Sequence, residues 1–199
     1  MKIKDNQKVF VISDLHVGPY NRRTLSLRGF KCDWIAHMNH VRNCINEKCD
    51  KQSILYILGD NGFKDATRDL EDFFKSLKPQ LKLCFGNHDN KKQLQKLKEK
   101  GIIQDVKHDY NLEYMGNYFY LSHYPCSDWW HYFMKTPENQ NRGSYHIHGH
   151  CHGTLPQKPI RRLDVSIDNI GYYPISFIEI MQRLQQYSNI DEYGKRIDL

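Results

Sequence analysis

Three times in its first half the chain runs through a short apolar stretch and stops on a glycine or an aspartate. Val9-Phe-Val-Ile-Ser13 ends at Asp14, Ser53-Ile-Leu-Tyr-Ile-Leu58 at Gly59, and Leu81-Lys-Leu-Cys-Phe85 at Gly86. Such runs read as buried strands. Between them the apolar spacing becomes helical. Trp34, Ile35, Met38, Val41 and Ile45 mark a helix from Trp34 to Lys48. Leu70, Phe73, Phe74 and Leu77 mark a second, ended before Pro79, and Asn90 to Lys100 forms a third, closed by Gly101. Strand then helix, three times over, is the pattern of a layered α/β fold.

The second half changes character. Tyr110 to Tyr114 and Tyr118 to Leu121 flank Gly116-Asn117 as a hairpin. Ser144 to His148 and Leu163 to Ile167 read as further strands, and Pro174 to Tyr187 as a last helix. Ser127 to Arg142 reads as a long surface loop. No repeat or low-complexity linker divides the chain. A single domain over residues 1–199 is therefore expected, long enough to bury a core without disulfides. Six cysteines (Cys32, Cys44, Cys49, Cys84, Cys126, Cys151) contain no CxxC pair, which argues against a zinc ribbon and a disulfide scaffold. Reduced thiols in a cytoplasmic protein are expected. No apolar run approaches the roughly 18 residues of a membrane span, and the polar start, Met1 to Lys8, fits no signal peptide. The net charge of +6 suits an anionic ligand without specifying it. Eleven histidines, against five methionines, raise the question of what the imidazoles bind.

Polar residues of metal-binding type sit just past the strand ends. They are Asp14-Leu-His16, Gly59-Asp60-Asn61, Gly86-Asn87-His88-Asp89, Ser122-His123 and Gly149-His150-Cys151-His152-Gly153. Open α/β sheets bind ligands in the crevice beyond the carboxyl ends of their strands. In extended chain, residues i and i+2 point the same way, so Asp14 and His16 share a site, as do His150 and His152. Gly59, Gly86 and Gly149 let the backbone turn and approach closely. Asp14, Asp60, Asn87, His16, His123, His150 and His152 exceed what one ion takes and suit two ions sharing a carboxylate. Mixed imidazole and carboxylate donors fit Mn, Fe, Zn, Ni or Co, with Mn favoured. Two such ions activate a bridging hydroxide and stabilise phosphoryl oxygens, which is the hydrolysis of a phosphate ester.

In this order, over residues 9 to 153, the blocks resemble those of the calcineurin-like metallophosphoesterase family. The size and the Asp168-Asn-Ile-Gly-Tyr-Tyr-Pro-Ile-Ser stretch are similar to its short bacterial and phage-type members. The resemblance implies a four-layer αββα sandwich with a dimetal site at its rim. It implies that Asp14, His16 and His152 hold the first ion, that Asn87, His123 and His150 hold the second, and that Asp60 bridges them. A bridging ligand must offer two anionic oxygens. It further implies that His88 is a non-ligand histidine that supports the leaving oxygen or the transition-state charge, with Asp89 orienting it. Imidazole titrates close enough to neutrality for that role. The chain departs from the pattern after His123-Tyr-Pro125, where Cys126-Ser-Asp128-Trp129-Trp130 replaces an arginine of small members. Arg22, Arg23 and Arg142 are candidate substitutes.

Several residues have ordinary readings instead. Cys151 reads as a packed thiol, and His146 and His148 as a strand interior. Lys91, Lys92, Lys96, Lys98 and Lys100 read as a solvated helix face. Tyr20, Trp129, Trp130, Tyr132 and Phe133 either stack on a base or anchor a loop. The expected activity is dimetal-dependent phosphodiester hydrolysis of a phosphate-ester substrate such as a nucleotide. The alternatives are a nuclease on single-stranded nucleic acid and a non-catalytic, protein-binding scaffold of the same fold. Neither a GxSxG elbow nor a GxxxxGK[ST] loop is present.

Overall fold

The computed structural model describes residues 1–19, 22–62, 67–127, 144–156 and 161–184. The elements are β1 (Val9–Ile12), α1 (Arg22–Leu27), α2 (Trp34–Lys48), β2 (Ile54–Ile57), α3 (Thr67–Lys75), β3 (Gln80–Cys84), α4 (Lys91–Glu99), β4 (Asp105–Lys107), β5 (Asp109–Tyr114), β6 (Asn117–Ser122), β7 (Tyr145–His148), β8 (Arg162–Asp164), α5 (Ile167–Ile170), β9 (Ile175–Ser176) and α6 (Phe177–Leu184). They build a five-stranded sheet, β4-β3-β2-β1-β9, and a four-stranded sheet, β5-β6-β7-β8. β1 to β4 are parallel, with β9 antiparallel at the edge. β5 and β6 form an antiparallel hairpin, to which β7 and β8 add in parallel.

All four residues of β1 are buried. Phe10 and Ile12 join Val41 and Ile45 of α2, Leu70, Phe73 and Phe74 of α3, and Leu94 and Leu97 of α4 in one apolar layer. Val9 and Val11 join Leu112, Phe119, Leu121 and Ile147 of the other sheet in a second layer. A strand covered on both faces reads as a continuous apolar run, which is why these strands are visible in the sequence. Two stacked sheets with helices outside are the mixed α/β arrangement that the resemblance implies.

Helix ends follow local chemistry. Asp33 caps α2 by accepting from Ala36 N at 2.9 Å, and Asn90 caps α4 by accepting from Gln93 N at 3.2 Å. The hairpin turn is Met115-Gly116, one residue earlier than expected. Both have positive φ (49° and 69°), as a two-residue turn between twisted strands requires. Other elements differ from expectation. Ile175 pairs with Val11 as β9, so the last helix begins at Phe177 rather than Pro174. Its expected end, Tyr187, lies outside the described residues. The strand expected over Leu163 to Ile167 ends at Asp164, whose carboxylate accepts from Ser166 N at 2.8 Å and turns the chain into α5. The short α1, β4 and α5 were not anticipated.

The strand ends of both sheets meet at one rim. Ser13 N donates to Val165 O at 2.9 Å, and Ile167 N donates to Ser13 O at 3.1 Å, tying the exit of β1 to that of β8. The Phe177 ring holds the sheets together further along. It stacks on Phe119 of β6 at 4.3 Å between centroids and reaches Tyr56 of β2 at 6.2 Å. Phe177→Ala is expected to lower unfolding free energy by about 3–5 kcal/mol, read from urea unfolding. A loss under about 1 kcal/mol would show that the ring is not a joint of the two sheets.

Candidate metal centre

The rim gathers all seven candidate ligands. The imidazole and carboxylate donor atoms of Asp14, His16 and His152 lie within 4.8 Å of one another, as do those of Asp60, His123 and His150. Asp60 stands between the groups. Its Oδ2 is 3.7 Å from His16 Nε2, and its Oδ1 is 3.6 Å from His123 Nε2. Asn87 Oδ1 lies 2.9 Å from His123 Nε2, on the second group. His88 belongs to neither group. Its Nε2 is 4.0 Å from Asp60 Oδ2, and its side chain is 46% exposed, so it faces the mouth.

The backbone that produces this arrangement is left-handed rather than extended. Asp14, His16, Asp60, His150 and His152 all have positive φ, between 48° and 69°. Alternation along a strand therefore does not explain the clustering, and it would have placed His150 and His152 together. They instead serve different groups. Left-handed non-glycine residues cost on the order of 1–3 kcal/mol each and persist where the surroundings over-determine them. Here the ladder of Asp14 N to Gly59 O (3.1 Å) and His16 N to Asp60 O (2.9 Å) locks the two loops together.

The glycines permit the close approach. A methyl on Gly86 would overlap Asp60 Oδ1, and one on Gly149 would overlap Ser13 Oγ and Asp14 Oδ2. Gly59, at φ 88°, would carry a Cβ only 2.7 Å from His123 Nδ1. Asp89 ties two loops together. Its buried carboxylate accepts from Gly86 N (2.8 Å), Asp60 N (3.1 Å), Asn61 N (2.9 Å) and Asn61 Nδ2 (2.9 Å). It fixes the loop that carries Asp60.

The donor set carries a net excess of acceptors. His152 Nδ1 is 2.6 Å from Asp168 Oδ2, and His123 Nδ1 is 2.8 Å from Leu58 O. Both partners accept, so each Nδ1 is placed to donate, which leaves Nε2 of the neutral ring as the inward-facing donor atom for a cation. Asp14 Oδ1 is buried without a hydrogen-bond partner, 3.5 Å from His152 Nε2 and 3.9 Å from His16 Nε2. Acceptors converging on acceptors repel unless a cation or a proton stands between them. Burial pushes the Asp14 carboxyl up to about 7, so a proton competes for this place. Burial, reinforced by Arg28, drives the His16 imidazole well below its ordinary range, and burial lowers His123, leaving both as neutral ligands. His152 moves the other way, because Asp168 hydrogen-bonds its ring. The residues present fit divalent cations on these grounds.

Two residues beside the centre were missed by sequence reading. Arg28 and Asp168 form an ion pair at 2.6 Å whose arginine side chain is only 3% exposed. Arg28 carried no periodic signal, and Asp168 was noted only within its family-like stretch. Arg22 and Arg23, named as phosphate-gripping candidates, are exposed on α1. Arg142, Tyr20, Trp129, Trp130, Tyr132 and Phe133 lie outside the described residues. Cys151 belongs to neither group and is half-buried, while His146 and His148 are buried within β7.

The profile of the calcineurin-like phosphoesterase superfamily domain matches residues 8–163. The chain belongs to that superfamily. It is a phosphoester hydrolase, of a family that typically depends on two metal ions, and it has two groups able to hold them. A solved structure of a protein of unknown function from Aquifex aeolicus is 22% identical, with a TM-score of 0.65, covering 89% of this chain and 100% of that one. This likeness shows the fold. A structure described as a novel archaeal phosphodiesterase is 16% identical, with a TM-score of 0.47, covering 80% of this chain and 82% of that one. No curated protein sequence matches the chain. No helix among the described residues is long and apolar enough to cross a membrane.

Ion binding to such a centre must displace the proton on Asp14. Manganese affinity is therefore expected to rise with pH and level off near pH 7, with up to one proton released from Asp14 per chain. Calorimetry in buffers of different ionisation enthalpy measures this. Affinity that is flat across that range would contradict the assignment of Asp14.

Proposed function

We propose that this enzyme hydrolyses phosphodiesters at a centre of two divalent ions. The placement of Asp60 between two groups of inward-facing acceptors carries the reading. Asp14, His16 and His152 hold one ion. Asn87, His123 and His150 hold the other, and Asp60 holds both. When bound, the ions supply positive charge that draws a proton from water and steadies the phosphoryl oxygens. Mixed imidazole, carboxylate and amide donors fit a first-row divalent ion, of which we take manganese as the reading to test. No serine or cysteine is required as nucleophile. His88, at the mouth, donates a proton or hydrogen bond to the departing oxygen. Asp89 acts indirectly, by fixing the Asp60 loop. The whole chain serves as one domain, and its free cysteines suit a reducing cytoplasm.

A cavity of about 360 Å³ supports the diester preference. Phe85, Asn87, Lys91, His108 and Tyr124 line it. It adjoins the second group through Asn87 and through Tyr124, whose ring packs edge-on against His150 at 4.7 Å. Lys91 Nζ lies 5.6 Å from the Phe85 ring centroid, so a cation and an aromatic face await an arm of the ester. Lys98 and Lys100 pair with Asp105 and Glu71, both at 2.7 Å, which supports a solvated face at that end of α4.

His88→Ala is expected to retain two ions by elemental analysis and to lose about 10²–10⁴-fold in kcat. Loss of the metal with the activity would make His88 a ligand instead. Lys91→Ala is expected to raise KM several-fold for a diester with an aromatic, acceptor-bearing arm and to spare a methyl diester. Equal effects on both would remove the cavity from substrate binding.

A further inference from the structure

We propose that Asp168, held by Arg28, is a positioning residue for the first ion group alone. The pair sets that group's affinity separately from the second. This rests on the two-ion reading above.

Asp168 Oδ2 accepts from His152 Nδ1 at 2.6 Å. Arg28 grips the same carboxylate with two donors, Nε to Oδ1 at 2.9 Å and Nη2 to Oδ2 at 2.6 Å. The guanidinium also donates to Asp14 O at 2.8 Å and to Leu15 O at 3.0 Å. One arginine thus fixes both the left-handed backbone at Asp14 and, through Asp168, the His152 ring. The third ligand follows, because the His16 ring stacks on His152 at 5.2 Å between centroids and 14° between planes. A carboxylate behind a ligating imidazole selects the tautomer, orients the ring and raises its basicity.

The support around the pair is rigid. Arg28 Nη1 lies 3.3 Å from His37 Nε2, and Phe30 and Tyr172 pack edge-on around that imidazole at 5.0 and 6.0 Å. The segment bearing Asp168 is tied to the turn after His152. Asp164 Oδ2 accepts from Gly153 N at 2.9 Å, while its Oδ1 accepts from Ser166 N at 2.8 Å.

The second group has another anchor. His123 is oriented by Leu58 O at 2.8 Å, and Asp60 by His88 N and the Asp89 network. Among the described residues, neither Arg28 nor Asp168 hydrogen-bonds to Asp60, His123 or His150. The groups therefore have separate side-chain anchors and meet at Asp60 and at the hydrogen bond from His150 N to Asp14 Oδ2, 2.9 Å.

The test titrates the metal-free, full-length protein with Mn²⁺ alone, by calorimetry and electron paramagnetic resonance. Wild type and Asp168→Asn are compared, with Arg28→Lys as a second variant that keeps the charge but loses the fork. Each variant is expected to weaken one of the two ions by about 10–100-fold and leave the other unchanged. In metal-free protein, the strongly downfield proton resonance of His152 Nδ1 is expected to disappear in Asp168→Asn. Unchanged binding of both ions, or equal weakening of both, would overturn the inference while leaving the two-ion reading in place. A wild type that binds no manganese would reject that reading and this inference with it.

Discussion

Two buried carboxylates each take one backbone N–H and turn their other oxygen toward imidazole rings, and much of the rim is built around that arrangement. Asp14 gives Oδ2 to His150 N and leaves Oδ1 unpartnered. Asp60 gives Oδ1 to His88 N and holds Oδ2 near His16. Anions so buried are costly unless a cation or proton compensates them. Glycines where a methyl would collide, left-handed aspartates and histidines, and an Asp89 carboxylate spent on four N–H groups all keep these oxygens in place. A chain under no such constraint would relax these loops into ordinary turns.

The fold positions the acceptors by joining two sheets at their carboxyl ends. Asp14, Asp60 and Asn87 leave the five-stranded sheet, and His123, His150 and His152 leave the four-stranded one. Neither sheet holds a complete ligand set for two ions. The apolar layer between them, with Phe177 reaching both, is therefore part of the site's support. Separate supports for the two groups, Asp168 on one side and Leu58 with Asp89 on the other, give the centre two halves that share Asp60.

Much of this was legible in the sequence, for definite reasons. Strands covered on both faces show as unbroken apolar runs, and Trp34–Lys48 shows a full helical period. The candidate ligands were legible because each follows closely on a strand. The reason offered for their convergence was wrong at Asp14, His16, His150 and His152. Left-handed backbone, which one sequence does not announce outside glycine, replaced strand alternation. The hydrogen bonds of Asp89 to the Asp60 loop were not legible, because they join segments nearly thirty residues apart. Arg28 and Asp168 are 140 residues apart, one in the turn after α1 and the other on the four-residue α5, so no local pattern joined them. β4 and β9, at three and two residues, are too short to carry a pattern at all.

The central claim is that the two acceptor groups hold two cations across Asp60. Anomalous diffraction at the manganese edge, from crystals of the manganese-loaded protein, tests it most directly. The account predicts two peaks about 3.5–4 Å apart. One should lie among Asp14, His16 and His152, and the other among Asn87, His123 and His150, with an Asp60 oxygen on each. A single peak, or two peaks of which only one touches Asp60, would contradict it.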